Sequence, residues 1–262
     1  MFIDGIDIRP AQITYDEYID CIKGLADACW ALNTELFANI KDSNGQIRIV
    51  LLLRPDIFNS LGLQNSTNKL ADNSVYLDWR TTYTDYSTSS LYAMVNKLLG
   101  YEQTCENNKI REQYFDWKLP SSTKREYDTA FMEFLKISLS RPRDMQRILS
   151  LIREIMISDG NGEFRRFDYV AYNSDRFQNK YSEYFLSSLK DQLSFYYSDE
   201  EYLHFRRFFD FFDGPQFTYA EYKTAYEGFV DSVLETAKDI PKTVEHQHTC
   251  LQLLYDTNMI AA

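Results

Sequence analysis

The residues best suited to chemistry open the chain, in the run Phe2-Ile3-Asp4-Gly5-Ile6-Asp7. Strand-like apolar residues lead into an acid, which is followed by a glycine and a second acid. A nucleotide-bound Mg²⁺ prefers hard oxygen ligands, so a carboxylate at a strand tip beside the phosphates suits Asp4. Gly5 would turn the backbone sharply, so that Asp7 faces the same crevice and orients an attacking water. Taken alone, this motif is common, and it favours a strand that ends in an Asx turn and binds no ligand.

The elements that would position these acids alternate in type over the first third of the chain. Apolar residues spaced three and four apart predict an amphipathic helix over residues 15–40. Residues 47–53 end in an unbroken apolar run, which is typical of a strand buried on both faces and indicates a parallel sheet. Pro55 ends that strand, and a short helix over 57–61 and another strand over 74–79 are predicted after it.

The last two thirds of the chain show helical periodicity or helix-start signals. The predicted helices cover residues 89–99, 124–139, 142–157, 172–193, 200–212, 218–237 and 243–256. Ser140 and Pro142 supply a cap and a first-turn proline for one of them, so that Arg141 and Arg143 flank its start.

Composition limits the partners and the cellular compartment. The formal net charge of −11 repels phosphate backbones and anionic lipid surfaces, so we expect neither nucleic-acid nor membrane binding through this chain. Four cysteines lie far apart without a CxxC pair, which favours free thiols in a reducing cytosol over a zinc site or disulfides. Neither a membrane-spanning apolar run nor a signal peptide is visible, so a cytoplasmic location is predicted.

Four motifs, taken in order, give the chain a resemblance to a known family. They are Phe2 through Arg9-Pro10, Ile47 through Arg54-Pro55-Asp56-Ile57-Phe58, Leu77-Asp78-Trp79-Arg80, and Arg141-Pro142-Arg143-Asp144. Over residues 1–160 this set resembles bacterial P-loop ATPases of the AAA+/STAND type. In the NACHT branch of that group, the Walker B strand is followed by Asp-Gly-Leu-Asp, and the next strand ends in a pair like Arg54-Pro55.

The resemblance implies a role for three charged residues of the first motifs. Asp4 would hold Mg²⁺ through its water shell, and Asp7 would be the second acid. Arg54 would stand where sensor 1 reads the γ-phosphate, since a forked cation can stabilise charge spread over phosphoryl oxygens. The alternative for Arg54 is a surface arginine before a turn.

Three further arginines resemble nucleotide-binding residues of the family. Arg141 or Arg143 is similar to a sensor 2 arginine at the start of the lid helix. An arginine beside a proline at a helix start is also an ordinary surface feature. Arg80 follows Trp79 and resembles an arginine finger directed at a neighbouring subunit. The alternative for Arg80 is an ion pair with a local carboxylate.

One part of such an ATPase does not occur in the sequence. The loop G-x-x-x-x-G-K-[ST] has amides that cradle phosphates and a Lys and Ser/Thr that contact phosphate and Mg²⁺, and it is absent from the 262 residues. In the family this loop precedes the Walker B segment, so we expect a missing segment before Phe2. ATP and Mg²⁺ are therefore the expected cofactors of the complete protein, and neither is expected on this chain alone.

The predicted fold is α/β followed by all-α. Residues 1–101 are the expected C-terminal half of a P-loop ATPase core with about three parallel strands, residues 102–160 a helical lid, and residues 161–262 a helical domain. That last domain is expected to end as an incomplete winged helix, with a first wing strand at 258–260. Acidic residues outnumber basic ones in this tail, which favours protein contacts over DNA binding.

Two classes of function remain open from the sequence. In the first, the complete protein is a switch or motor in which ATP closes the lid and hydrolysis reopens it. This motion would drive assembly with further copies or act on an effector protein, with bacterial anti-phage defence as the expected setting. In the second, the chain is a non-catalytic protein-interaction module derived from such an ATPase.

Overall fold

A computed structural model describes residues 1–10, 12–40, 47–62, 73–100, 114–115, 117, 129–160, 166–214, 216–236, 246–256 and 259–260. The chain forms two units, one made of residues 1–74 and 188–262 and the other of residues 75–187. The predicted domain boundaries at 101/102 and 160/161 border on residues outside the described ranges.

Helices make up most of the described structure. Two short strands are present, β1 (Phe2–Ile3) and β2 (Val50–Leu51). The α-helices are α1 (Tyr15–Ala31), α2 (Pro55–Ser60), α3 (Ser90–Leu99), α4 (Ala130–Lys136), α5 (Pro142–Ser158), α6 (Tyr169–Tyr172), α7 (Asp175–Leu193), α8 (Asp199–Arg206), α9 (Tyr219–Thr236) and α10 (Gln247–Asp256). A π-helical turn (Leu32–Leu36) and a 3₁₀ turn (Phe37–Asn39) extend α1, and two more 3₁₀ turns cover Tyr86–Thr88 and Arg207–Phe211.

The sheet is smaller than the sequence predicts. β1 and β2 are parallel, with Phe2 beside Val50 and Ile3 beside Leu51. The Val50 amide donates to the Met1 carbonyl at 2.8 Å, and the Leu52 amide donates to the Ile3 carbonyl at 2.9 Å. The prediction of an α/β core with about three strands is wrong, because the described residues form a largely helical structure with these two strands alone.

Local side-chain contacts account for the shorter strands. Before β2, the amide of Ile49 donates to Asn33 Oδ1 at 2.8 Å, and Asn33 Nδ2 donates to the Ile49 carbonyl at 2.7 Å. A side chain thus takes the backbone groups that a neighbouring strand would use. Residues 74–79, predicted as a strand, have no assigned secondary structure, and Asp78 accepts a hydrogen bond from the Arg80 amide at 2.9 Å.

The helices agree better with the sequence because their signals are local. Thr14 and Glu17 form a capping box at the start of α1, and Ser89 caps α3. The helix predicted over 172–193 is interrupted at Ser174, whose hydroxyl accepts from the Phe177 amide at 3.2 Å. The first parts of the helices predicted over 124–139 and 243–256 lie outside the described residues.

The predicted wing strand at 258–260 is not formed in its described part. Met259 and Ile260 are bends, and their amides donate to the Leu254 carbonyl at 2.8 and 3.3 Å. These bonds satisfy a carbonyl at the C-terminal end of α10. Residue 258 lies outside the described ranges.

Each unit has its own apolar core. In the unit of residues 75–187, helix α5 is buried along one face, and aromatic side chains surround it. They include Trp117, Phe131, Phe134, Tyr172, Phe177 and Tyr181. In the other unit, aromatic side chains of α8, α9 and the turn between them pack together. They include Phe205, Phe208, Tyr222 and Phe229. The high aromatic content of the sequence therefore serves packing in both units.

Candidate functional site

The acid motif ends β1 in a tight turn. Asp4 follows the strand directly and is exposed, and its Oδ1 accepts a hydrogen bond from the Gly5 amide at 2.8 Å. Gly5 has a φ of 81°, a left-handed conformation that favours glycine. The sharp turn expected at Gly5 is therefore present. The exposed carboxylate of Asp4 at the strand tip is open to solvent and to ligands.

The loop that carries Asp7 is held in place by two longer side chains. The Tyr18 hydroxyl lies 3.3 Å from the Ile6 carbonyl and 3.1 Å from the Ile8 carbonyl, to which it donates. Arg9 donates through Nη1 to the Ile13 carbonyl at 2.7 Å. Burial, followed by the charge of Asp7, raises the pKa of Tyr18.

Arg54 lies three residues beyond the end of β2 and starts helix α2. It is the N-cap residue, and Pro55 occupies the first turn of the helix. Its guanidinium makes a bidentate ion pair with Asp56, in which Nε lies 3.1 Å from Oδ1 and Nη2 contacts Oδ2. Nη1 donates to the Gln192 carbonyl at 2.7 Å, and the Tyr196 hydroxyl donates to Asp56 Oδ2 at 2.7 Å.

The electrostatics link Arg54 to the acid motif. Burial by itself would lower the pKa of Arg54, but the hydrogen bonds and charge of Asp56 raise it, with further contributions from Tyr196 and Asp7. The guanidinium is therefore permanently charged. Because β1 and β2 are parallel, Asp4, Asp7 and Arg54 all follow the carboxyl ends of their strands, at the same edge of the sheet.

The acids at this end of the sheet are suited to binding a metal ion through its water molecules. No group of three or more His, Cys, Asp or Glu side chains that could enclose a metal occurs in the described part of the chain. A nucleotide-bound Mg²⁺ needs only one or two protein carboxylates, because water and phosphate supply its other ligands. The exposed Asp4 carboxylate is compatible with such a role.

Arg80, Arg141 and Arg143 belong to the other unit, residues 75–187. Arg80 pairs with Asp78, its Nε lying 3.2 Å from Oδ1, and Nη2 donates to the Tyr76 hydroxyl at 2.9 Å. The local ion pair weighed for Arg80 from the sequence is thus present. Arg143 is exposed in the first turn of α5.

Arg141 is the N-cap residue of α5 and forms a bidentate ion pair with Asp144. Nε lies 3.1 Å from Oδ2, and Nη2 lies 3.0 Å from Oδ1. Asp144 is fully buried and also accepts from the Tyr184 hydroxyl at 2.9 Å and from the Leu139 amide at 3.0 Å. A carboxylate with this many donors is well compensated despite its burial.

The same arrangement therefore starts a helix in each unit. An N-cap arginine is followed by a proline and a buried aspartate, and a tyrosine from a distant segment completes the contact. We call each one an arginine clamp. The two clamps are Arg54–Asp56–Tyr196 and Arg141–Asp144–Tyr184. No role for the aspartates or the tyrosines was predicted from the sequence, although both aspartates lie in the quoted motifs with the spacings Arg-Pro-Asp and Arg-Pro-x-Asp.

Comparison of the chain with models of protein families, with curated proteins and with solved structures found no match. The resemblance to P-loop ATPases therefore rests on the quoted motifs alone. Among the helices of the described part, none is both long enough and apolar enough to cross a bilayer.

Proposed function

We propose that this chain is part of a P-loop ATPase of the AAA+/STAND type. In this ATPase, ATP binding and hydrolysis drive a conformational switch or assembly. The proposed location is the bacterial cytoplasm, and the proposed role is anti-phage defence. In this proposal the chain supplies the acids and the arginine of the nucleotide site. The phosphate-cradling loop, which its sequence lacks, comes from a segment outside these residues. The proposal does not require a third strand within the described residues.

One observation carries the proposal most directly. The two strands are parallel, so Asp4, which directly follows β1, and Arg54, three residues after β2, both lie beyond the carboxyl ends of their strands. An acid and an arginine at that end suit a bound Mg²⁺ and a γ-phosphate.

When bound, Mg²⁺ would neutralise charge on the phosphate oxygens as the terminal phosphoryl group is transferred to water. Asp4 would hold water molecules of the metal's shell through its exposed carboxylate. Asp7 would accept a proton from the attacking water or orient it. Arg54 would stabilise the charge on the equatorial phosphoryl oxygens.

The first test is the coding DNA upstream of the Met1 codon, which is expected to continue in frame into a Walker A segment. ATP hydrolysis by the protein with that segment should then fall about 100-fold in Asp4→Asn, the scale on which one electrostatic stabiliser of a transition state acts. Asp20→Asn is the matched control, because Asp20 is 77% exposed and pairs only loosely with Lys23 at 3.5 Å. Turnover in Asp4→Asn equal to that of the control would remove Asp4 from the metal site.

A second candidate function, a non-catalytic protein-interaction module, is favoured by the apolar face of the sheet. The register places Phe2 and Val50 on the same face, and their exposed fractions are 73% and 40%. Parallel sheets are normally covered on both faces, so an exposed apolar face suits a protein contact. If the coding DNA does not continue into a Walker A segment, this module becomes the preferred interpretation.

A further inference from the structure

Asp7 lies in a turn just beyond the end of β1. The turn follows the left-handed Gly5 and covers residues 6–8, and Asp7 is half-buried in it. Each residue of such a turn has two soft backbone dihedral angles. The Asp7 side chain therefore keeps one direction only where other groups restrain the peptide planes before and after it.

Tyr18 contacts the peptide groups on both sides of Asp7. Its hydroxyl oxygen lies 3.3 Å from the carbonyl oxygen of Ile6 and 3.1 Å from that of Ile8. The single hydroxyl proton is donated to one of these carbonyls at a time or shared between them. One side chain thus restrains the short piece of backbone from which the Asp7 carboxylate projects.

The Tyr18 ring is itself held by its neighbours. Tyr18 lies near the start of α1, where Thr14 and Glu17 form the capping box. Its ring packs against the fully buried Phe195, with ring centroids 5.9 Å apart. Arg9, at the other end of the loop, donates through Nε to the Phe195 carbonyl at 3.1 Å. The loop is therefore tied at two points to one buried residue.

We propose that Tyr18 is a positioning residue of the nucleotide site, whose hydroxyl fixes the turn so that the Asp7 carboxylate points where it orients the attacking water. This inference rests on the proposed function and deepens it. Tyr18 touches no reacting atom and acts through Asp7 alone. A misplacement of about 1 Å can cost an enzyme about 100-fold in rate, so loss of this restraint has a measurable effect.

The restraint is tested without nucleotide, by ¹⁵N relaxation of the full chain. Tyr18→Phe keeps the ring and removes the hydroxyl, and water can replace it at the carbonyls of Ile6 and Ile8, so the variant should fold. The backbone order parameters of Asp7 and Ile8 should fall from about 0.8 to below about 0.6. Tyr219→Phe is the matched control, because Tyr219 lies in the same unit and is 54% exposed. Order parameters in Tyr18→Phe equal to those of the control would overturn the restraint.

The effect on catalysis is tested in the ATP-hydrolysing protein to which we assign this chain. Asp7→Asn should lower kcat about 100-fold, the scale of a positioned general base. Tyr18→Phe should lower kcat about tenfold and leave the KM for ATP unchanged, since the turn orients water and does not bind ATP. Tyr18→Phe added to Asp7→Asn should cause no further loss, because Tyr18 acts through that carboxylate.

The outcomes separate the positioning role from the proposed function. A general structural role for Tyr18 would give an additive loss of about 1,000-fold in the double variant. That result, or an unchanged kcat in Tyr18→Phe, would overturn the positioning role and leave the proposed function standing. ATP hydrolysis that is absent from the wild type, or unaffected by Asp7→Asn, would overturn the role of Asp7 in the proposed function, and that of Tyr18 with it.

Discussion

Replacement of Asp144 by Asn tests how strongly an arginine clamp stabilises its unit. The carboxylate is fully buried and accepts from the Arg141 guanidinium, the Tyr184 hydroxyl and the Leu139 amide. Asparagine keeps the shape but removes the charge and places an NH₂ donor where an acceptor oxygen stood. Each oxygen accepts from two donors, so whichever one is replaced leaves two donors facing the new NH₂ group, and Arg141 loses its counter-ion.

The expected cost follows from this geometry. Breaking a buried ion pair by neutralising one partner costs about 3–5 kcal/mol, and we expect about 4 kcal/mol here because Asp144 has no exposure to water. With a urea m-value of about 2 kcal/mol/M for a unit of this size, the unfolding midpoint should fall by about 2 M. The m-value itself should stay the same, since the exposed area on unfolding is unchanged.

The assay can be confined to the unit that contains the clamp. The sequence has three tryptophans, and Trp79 and Trp117 lie in the unit of residues 75–187. In a Trp30→Phe background, tryptophan fluorescence during urea unfolding therefore reports that unit alone. Asp159→Asn is the matched control, because Asp159 is the C-cap of the same helix and its ion pair with Arg176 is exposed. The control should cost less than about 0.5 kcal/mol. An equal cost for both variants would refute the reasoning.

Three further predictions concern a turn, a thiol and a phenol. Gly5→Ala should destabilise its unit by about 1 kcal/mol, because a side chain is strained at a φ of 81°. Gly24→Ala, inside α1 with open space at its Cβ, should stabilise the same unit by about 0.5–1 kcal/mol. Changes in the free energy of unfolding with the same sign for both variants, measured in urea, would contradict this. Burial raises the pKa of the Cys250 thiol to about 11. At pH 8, iodoacetamide should therefore modify the exposed Cys21 at least about 100-fold faster than Cys250, as measured by peptide mass spectrometry. Comparable rates for the two thiols would show that Cys250 is accessible. Burial and the neighbouring carboxylate raise the pKa of Tyr184 to about 12, above its unfolded value near 10. Its stabilising contribution is therefore complete below pH 10 and lost as the pH rises toward 12. Over that range, the urea midpoint should fall less steeply with pH in Tyr184→Phe than in the wild type. An equally steep fall would exclude Tyr184 as a cause of the loss of stability at high pH.

The extent of the strands shows where sequence patterns fall short. Residues 47–53 have the composition of a buried strand, yet only Val50 and Leu51 are paired, and Val50 is 40% exposed. An apolar run indicates that a strand can form, but its length depends on which other backbone groups are available to pair. Here the Asn33 side chain takes both backbone groups of Ile49, and no periodicity in the sequence announces that contact.

The candidate site likewise combines features that adjacent residues predict with contacts that they do not predict. The acid motif predicted the turn at Gly5 and a strand that ends at Asp4, since both depend on adjacent residues. The apolar run of residues 47–53 and the family resemblance led to the expectation that Arg54 follows a neighbouring strand, and β2, parallel to β1, ends three residues before it. The partners of Arg54 were not foreseen, because Gln192 is 138 positions away and Tyr196 lies 140 positions from Asp56.

The sequence by itself determined most of the helices and the tight turn after the first strand, although Arg141 and not the predicted Ser140 is the N-cap residue of α5. Each of these is satisfied by hydrogen bonds and apolar spacing within a few residues, as in the capping box of Thr14 and Glu17. The tertiary structure decided the size of the sheet and the partners of the two N-cap arginines. Those outcomes depend on the burial of a charge and on backbone groups contributed by distant segments, so local spacing cannot fix them.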